Sequence, residues 1–86
     1  MDFDISKFEN SVINNLDKDN IKKIIDYLLL KNCDYIEELL SDYLDIFTFD
    51  YNDFVLKFEK LEKKYNNNLI NEIKDDMNIL EQLYYQ

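Results

Sequence analysis

The sequence contains no glycine, proline, histidine, tryptophan, alanine or arginine, and a single cysteine. Each absence excludes something. Without glycine, neither a phosphate-cradling loop nor a dinucleotide-binding turn can be written. Without histidine, Ser-His and Cys-His nucleophile pairs and histidine-rich metal sites cannot be assembled within the chain, so no enzymatic activity is expected. The lone Cys33 excludes an internal disulfide and leaves no cysteine pair for a metal, which suits a cytoplasmic setting. No apolar run reaches the length of a membrane span. The first thirty residues carry neither a basic n-region nor a continuous apolar h-region, so neither a span nor a signal peptide is expected.

The missing glycine and proline also constrain how the chain turns. Left-handed backbone and helix ends must fall to Asn and Asp, which tolerate positive φ and cap helices. Helices joined by short Asn/Asp turns are the expected outcome. The same composition, rich in Asn, Ile, Lys, Tyr and Phe, is what a very AT-rich coding sequence produces, pointing to a low-GC bacterium or a phage of one.

What is present is enough to build a core. The chain has 86 residues, 47% of them hydrophobic, with seven Tyr and six Phe. That is well above the content of a disordered acidic chain. One all-α domain over 1–86 is expected, a compact bundle of four to five short helices.

The periodicity predicts the following elements. A first helix over 4–16 carries Ile5, Phe8, Val12 and Leu16 at three- and four-residue steps, with Ser6 and Glu9 spaced as a capping box. A second, over about 20–32, gathers Ile21, Ile24, Ile25, Leu28 and Leu29, with Asp17 or Asp19 as its cap. A third covers 34–47. A fourth runs to about residue 66 behind Thr48 or Asp50, with Phe54, Phe58, Leu61 and Tyr65 inward. After the turn Asn66–Asn68, a last helix over about 69–84 presents Leu69, Ile73, Met77, Leu80 and Tyr84. Leu30, Leu56 and Ile79 fall off their stripes.

The stretch 32–56 stands apart in charge. It holds Asp34, Glu37, Glu38, Asp42, Asp45, Asp50 and Asp53 with no lysine, and so carries −7 of the net charge of −9. The flanks on either side are near balance, each with six acids against five lysines. Read as one helix at 100° per residue, the acids from Asp34 to Asp45 fall within an arc of about 140° and only Ser41 shares it. The opposite side takes Ile36, Leu39, Leu40, Tyr43, Leu44 and Phe47. This describes a carboxylate ribbon about 16 Å long. Glu37, Glu38, Asp42 and Asp45 have no lysine three or four places away to offset them. The helix dipole favours the acids at the start of such a helix and disfavours Asp42 and Asp45 near its end. Carboxylates held against local stability are the ones expected to have a task.

Other features read more plainly. Asp50, Asn52 and Asp53 have the opening of a calcium loop, but Phe54 takes the third alternate position, the turn glycine is missing, and Leu61 stands where the bidentate glutamate belongs. No metal or cofactor is expected. Cys33 reads as a small apolar residue with no cation beside it to activate the thiol. Among Tyr35, Tyr43 and Tyr51, Tyr43 is centred on the core stripe, so packing is the expected role.

An acidic protein is not expected to bind nucleic acid or anionic membrane directly, since both demand a cationic face. Its expected partner is a basic protein, drawn in by complementary charge. In size, charge and AT-rich bias, the chain resembles the small acidic inhibitors encoded by phages, of which anti-CRISPR proteins are the best-populated group. That resemblance implies a bacterial host cytoplasm and a nucleic-acid-handling target whose basic groove is occupied by the carboxylate-lined helix. Nuclease-immunity proteins fit the same physics. An alternative class is a helical adaptor or homodimer, using the apolar surface of Leu30, Leu56, Ile79, Leu83, Tyr84 and Tyr85.

Overall fold

The computed structural model describes residues 16–84, and these contain four α-helices, two 3₁₀ helices and no strand. The α-helices are α1 (Lys18–Leu30), α2 (Ile36–Asp42), α3 (Tyr51–Lys64) and α4 (Leu69–Asp75). The 3₁₀ helices are Leu44–Thr48 and Met77–Leu83. The protein is therefore all-α, as its periodicity predicts. The first expected helix, 4–16, lies outside the described residues apart from Leu16, as does Tyr85. The chain divides into two compact units, one ending at Tyr51 and the other beginning at Asn52.

In the first unit, α1 starts at Asp17, whose carboxylate accepts the Asn20 N–H at 3.1 Å. Ile21, Ile24, Ile25 and Leu28 point inward and are buried. The first 3₁₀ helix contacts both α1 and α2. Its Ile46 and Phe47 are fully buried, alongside Ile36, Leu39 and Leu40 of α2. The Asn20 carboxamide fastens this arrangement. Its Nδ2 donates to the Phe49 carbonyl at 2.6 Å and reaches the Phe47 carbonyl at 3.5 Å. Its Oδ1 accepts the Tyr51 N–H at 2.8 Å, so a side chain of α1 satisfies the first amide of α3. The Tyr27 and Tyr51 rings meet edge to face with centroids 6.4 Å apart.

In the second unit, Phe54 and Phe58 of α3 stack in a tilted pair with centroids 5.6 Å apart. Both are fully buried, together with Leu69, Ile73, Leu80 and Leu83. The Gln82 amide joins the second 3₁₀ helix to the end of α3. Its Oε1 accepts from Lys64 Nζ and its Nε2 donates to the Tyr65 hydroxyl, each at 2.8 Å.

Two expected helices are interrupted, and the breaks share one cause. The element expected over 34–47 ends as an α-helix at Asp42, extends through Tyr43 (φ −131°, ψ 39°) and restarts as 3₁₀. The last element ends at Asp75, passes through Asp76 (φ −145°, ψ 94°) and restarts with the Asp76 carboxylate accepting the Asn78 N–H at 3.1 Å. Each restart re-aims the residues that follow. Ile46 becomes fully buried beside Phe47, and Ile79 and Leu83 turn inward at 8% and 0% exposure. Burying one such side chain is worth about 1.5–3 kcal/mol. That exceeds the roughly 1 kcal/mol net value of a helix hydrogen bond lost at a break. The expectation that Ile79 and Leu83 form part of an exposed apolar surface is therefore corrected.

The turns confirm the role assigned to Asn. Asn32, Asn66 and Asn67 have φ of 65°, 57° and 62°. After α1, the Cys33 N–H donates to the Leu28 carbonyl and the Asn32 N–H to that of Leu29, both at 3.0 Å. After α3, the Asn67 N–H donates to the Glu62 carbonyl at 2.8 Å and the Asn66 N–H to that of Lys63 at 3.4 Å. Both are Schellman closures with Asn in the seat that glycine usually takes. Because left-handed backbone costs a non-glycine residue about 1–2 kcal/mol, with Asn at the low end, Asn66→Gly should stabilise the protein by several tenths of a kcal/mol. Asn66→Ala should destabilise it by about 1 kcal/mol, and urea denaturation of both variants reads the two signs.

Candidate functional site

The acidic stretch is laid out over several short elements, each of which turns its carboxylates outward because its apolar residues are taken by the core. Asp34 lies in the connection before α2. Glu37 and Glu38 occupy the first turn of α2, Asp42 is its last residue, and Asp45 falls in the first turn of the 3₁₀ helix. Asp50 precedes α3 and Asp53 lies in its first turn. All seven are exposed, whereas Ile36, Leu39, Leu40, Ile46 and Phe47 between them are buried.

A single ribbon on one helix is not what carries them. The break at Tyr43 separates Asp45 from the α-helical face, and it moves Asp45 from the unfavourable end of a helix to the first turn of the next one. Asp42 alone keeps the unfavourable C-terminal position. Asp34, Glu37 and Glu38 are brought together on the edge of a groove of about 650 Å³, whose floor includes Cys33, Tyr35 and Ile36. Asp53 belongs to the second unit. Asn52 and Asp53 lie within α3, so the run that opens like a calcium loop is helix. No group of three or more metal-ligating side chains occurs among the described residues. None of the described helices is long and apolar enough to cross a membrane.

Tyr35 and Cys33 carry more of the groove than their sequence positions indicate. Tyr43, centred on the expected core stripe, is only half-buried, while Tyr35 is 7% exposed. Cys33 is buried as well. Burial raises the Tyr35 phenol well above the usual tyrosine value, assisted by charge interaction and a hydrogen bond with Cys33 and by the negative charge of Asp34. The neutral phenol thus belongs to the folded state, and the unfolded chain ionises near pH 10. Stability contributed by Tyr35 is fully present below that pH and declines above it by about 1.4 kcal/mol per pH unit. Denaturant midpoints measured from pH 8 to pH 11 should fall more steeply for the wild type than for Tyr35→Phe.

Leu56, off its stripe as the periodicity indicates, stands 66% exposed on α3 in a shallow groove shared with Lys57, Glu59, Lys60 and Lys63. Glu62, also on α3, is buried at 9% exposure in a helix face that reads as solvated, and nothing in the pattern marks it.

These residues define an acidic all-α protein with its charge concentrated on the exposed side of one segment. Comparison of the chain with protein-family models, with curated proteins and with solved structures returns no match.

Proposed function

We propose that this protein is a small acidic inhibitor that binds a basic nucleic-acid-binding protein or nuclease, in the host cell cytoplasm, by occupying the cationic groove that holds nucleic acid. The observation that carries this reading is the exposure of all seven carboxylates between Asp34 and Asp53, in a stretch without a single lysine, over a buried apolar backing. Exposed like charges at these spacings repel one another. A lysine- or arginine-lined channel offsets that repulsion, and complementary fields accelerate the encounter. The interruption at Tyr43 shifts the emphasis within this reading. The contact rests on charge density and exposure across Asp34–Asp50 rather than on a phosphate-like row along one rigid helix.

The test is capture from host lysate at low salt, comparing the wild type with the triple variant Glu38→Gln, Asp42→Asn and Asp45→Asn. If each carboxylate meets a cation for about 1 kcal/mol, the variant binds about a hundredfold more weakly. The wild-type complex should also weaken steeply between low and physiological ionic strength. All three side chains are exposed, so the variant should melt no lower than the wild type. Equal retention of a partner by both proteins, insensitive to salt, would sink the acidic reading and favour an apolar contact through Leu30 or Leu56.

A further inference from the structure

The described residues that line the groove of about 650 Å³ all fall between Leu29 and Glu38, so the groove belongs to the first unit alone. Its size is within the range of roughly 300–1,000 Å³ usual for binding pockets. The Asn32 turn holds its shape, since the closure after α1 fixes where the chain leaves that helix and enters α2. The lining is of two kinds. Leu29, half-buried in the last turn of α1, and Ile36, at the start of α2, supply apolar surface over the buried Tyr35 ring. Asp34, Glu37 and Glu38 are exposed at the edge, and among the described residues no lysine lines the groove. These carboxylates do not converge on a point, because no group of three or more metal-ligating side chains occurs among the described residues.

We infer that the groove seats an arginine side chain of the basic partner, with its methylene stem on Leu29 and Ile36 and its guanidinium among Asp34, Glu37 and Glu38. A compact cation would use only the carboxylates, and an apolar side chain would use only the floor while taking water from the acids. A cationic head on an apolar stem uses both. Arginine and lysine share that form, but carboxylates that are spread apart favour the wide, planar, weakly hydrated guanidinium fork over a point charge. The inference rests on the inhibitory reading for its partner and on the groove for its chemistry. It divides the seven carboxylates by role. Asp34, Glu37 and Glu38 hold one side chain in place, an anchor of the type in which interfaces concentrate their energy. Asp42, Asp45 and Asp50 attract the same partner at longer range.

Short capped peptides separate the anchor from the diffuse attraction. Three of equal length, with arginine, lysine or the neutral isostere citrulline at the centre, are titrated into the full chain while the Leu29 and Ile36 methyl signals are followed by NMR. The arginine peptide should shift both signals saturably, the lysine peptide should bind several-fold more weakly, and the citrulline peptide should shift neither. Glu37→Gln/Glu38→Gln should weaken the arginine peptide by about tenfold. Where that pair reduces helicity by circular dichroism, Asp34→Asn, outside any helix, tests the same contact. Asp42→Asn/Asp45→Asn should leave the peptide's affinity nearly unchanged. Equal affinity for the arginine and lysine peptides, shifts spread evenly over the neighbours of Asp42, Asp45 and Asp50, or no shift with any peptide overturns the inference and leaves the lysate test of inhibition standing. Failure of that lysate test with the arginine-specific shifts intact supports the groove and removes only the inhibitory reading.

Discussion

Phe58→Ala should lower the thermal midpoint of this protein by about 15–25 °C, enough to leave a substantial unfolded fraction at physiological temperature. Phe58 is fully buried and stacks on Phe54, which is also fully buried. Truncating such a ring costs about 3–5 kcal/mol, because the transfer energy of the removed atoms is lost and the cavity left behind is only partly filled by relaxation. A chain of this size has a total stability of roughly 4–13 kcal/mol at 0.05–0.15 kcal/mol per residue. One ring is therefore a large part of the whole. Leu56→Ala, two residues away on the exposed side of α3, should shift the midpoint by no more than a few degrees. A shift for Phe58→Ala as small as that of Leu56→Ala would mean that the ring is not packed in a core.

Asn20→Ala should destabilise the first unit by about 1–3 kcal/mol through a different mechanism. The side chain is polar and half-buried, and its value lies in satisfying backbone groups on a distant stretch. Without it, the Phe49 carbonyl and the Tyr51 N–H lose partners at 2.6 and 2.8 Å. Amide exchange at Tyr51 should quicken accordingly. Asn20→Asp is the sharper probe. It keeps the acceptor for the Tyr51 N–H but turns the donor into a carboxylate facing the Phe49 carbonyl. At neutral pH this variant should be at least as unstable as Asn20→Ala. As pH falls through about 4 the new carboxyl gains a proton and becomes a donor again, so part of the loss is recovered. Chemical denaturation at pH 7 and pH 3.5 distinguishes the two variants, and no recovery by Asn20→Asp relative to Asn20→Ala would remove the donor role from Asn20.

Most of the all-α architecture was legible because apolar spacing records which side of a helix is buried. Ile21, Ile24, Ile25 and Leu28, and likewise Phe54, Phe58 and Leu61, occupy the buried stripes that their intervals describe. The Asn turns were legible for a chemical reason, since a chain without glycine has few other residues for positive φ, and Asn32, Asn66 and Asn67 take those positions. Continuity was not legible. A period of 3.6 residues continues smoothly through Tyr43 and through Asp76, and nothing local at either residue forbids another helical turn. The interruptions are dictated by what Ile46 and Ile79 gain on burial, which depends on neighbours distant in sequence. The candidate site divides in the same way. Exposure of the seven acids follows from charge alone, whereas their distribution over several short elements follows from those interruptions. Asn20 illustrates the limit most clearly, because an asparagine inside the first turn of a helix carries no sign that its carboxamide will satisfy Phe49 and Tyr51 some thirty residues later.

The connections among the described elements are all short. They comprise residues 31–35, Tyr43, Phe49–Asp50, residues 65–68 and Asp76. Their geometry is closed largely by bonds between residues three to five apart, as in the two Asn closures. A chain assembled from such near neighbours loses little entropy in each loop before the next contact forms. With no prolyl bond to isomerise, it also lacks the step that holds many proteins back for tens of seconds. Helical chains of this kind reach their native form in microseconds to milliseconds. The short Asn-closed connections thus bear on the rate of folding as well as on shape.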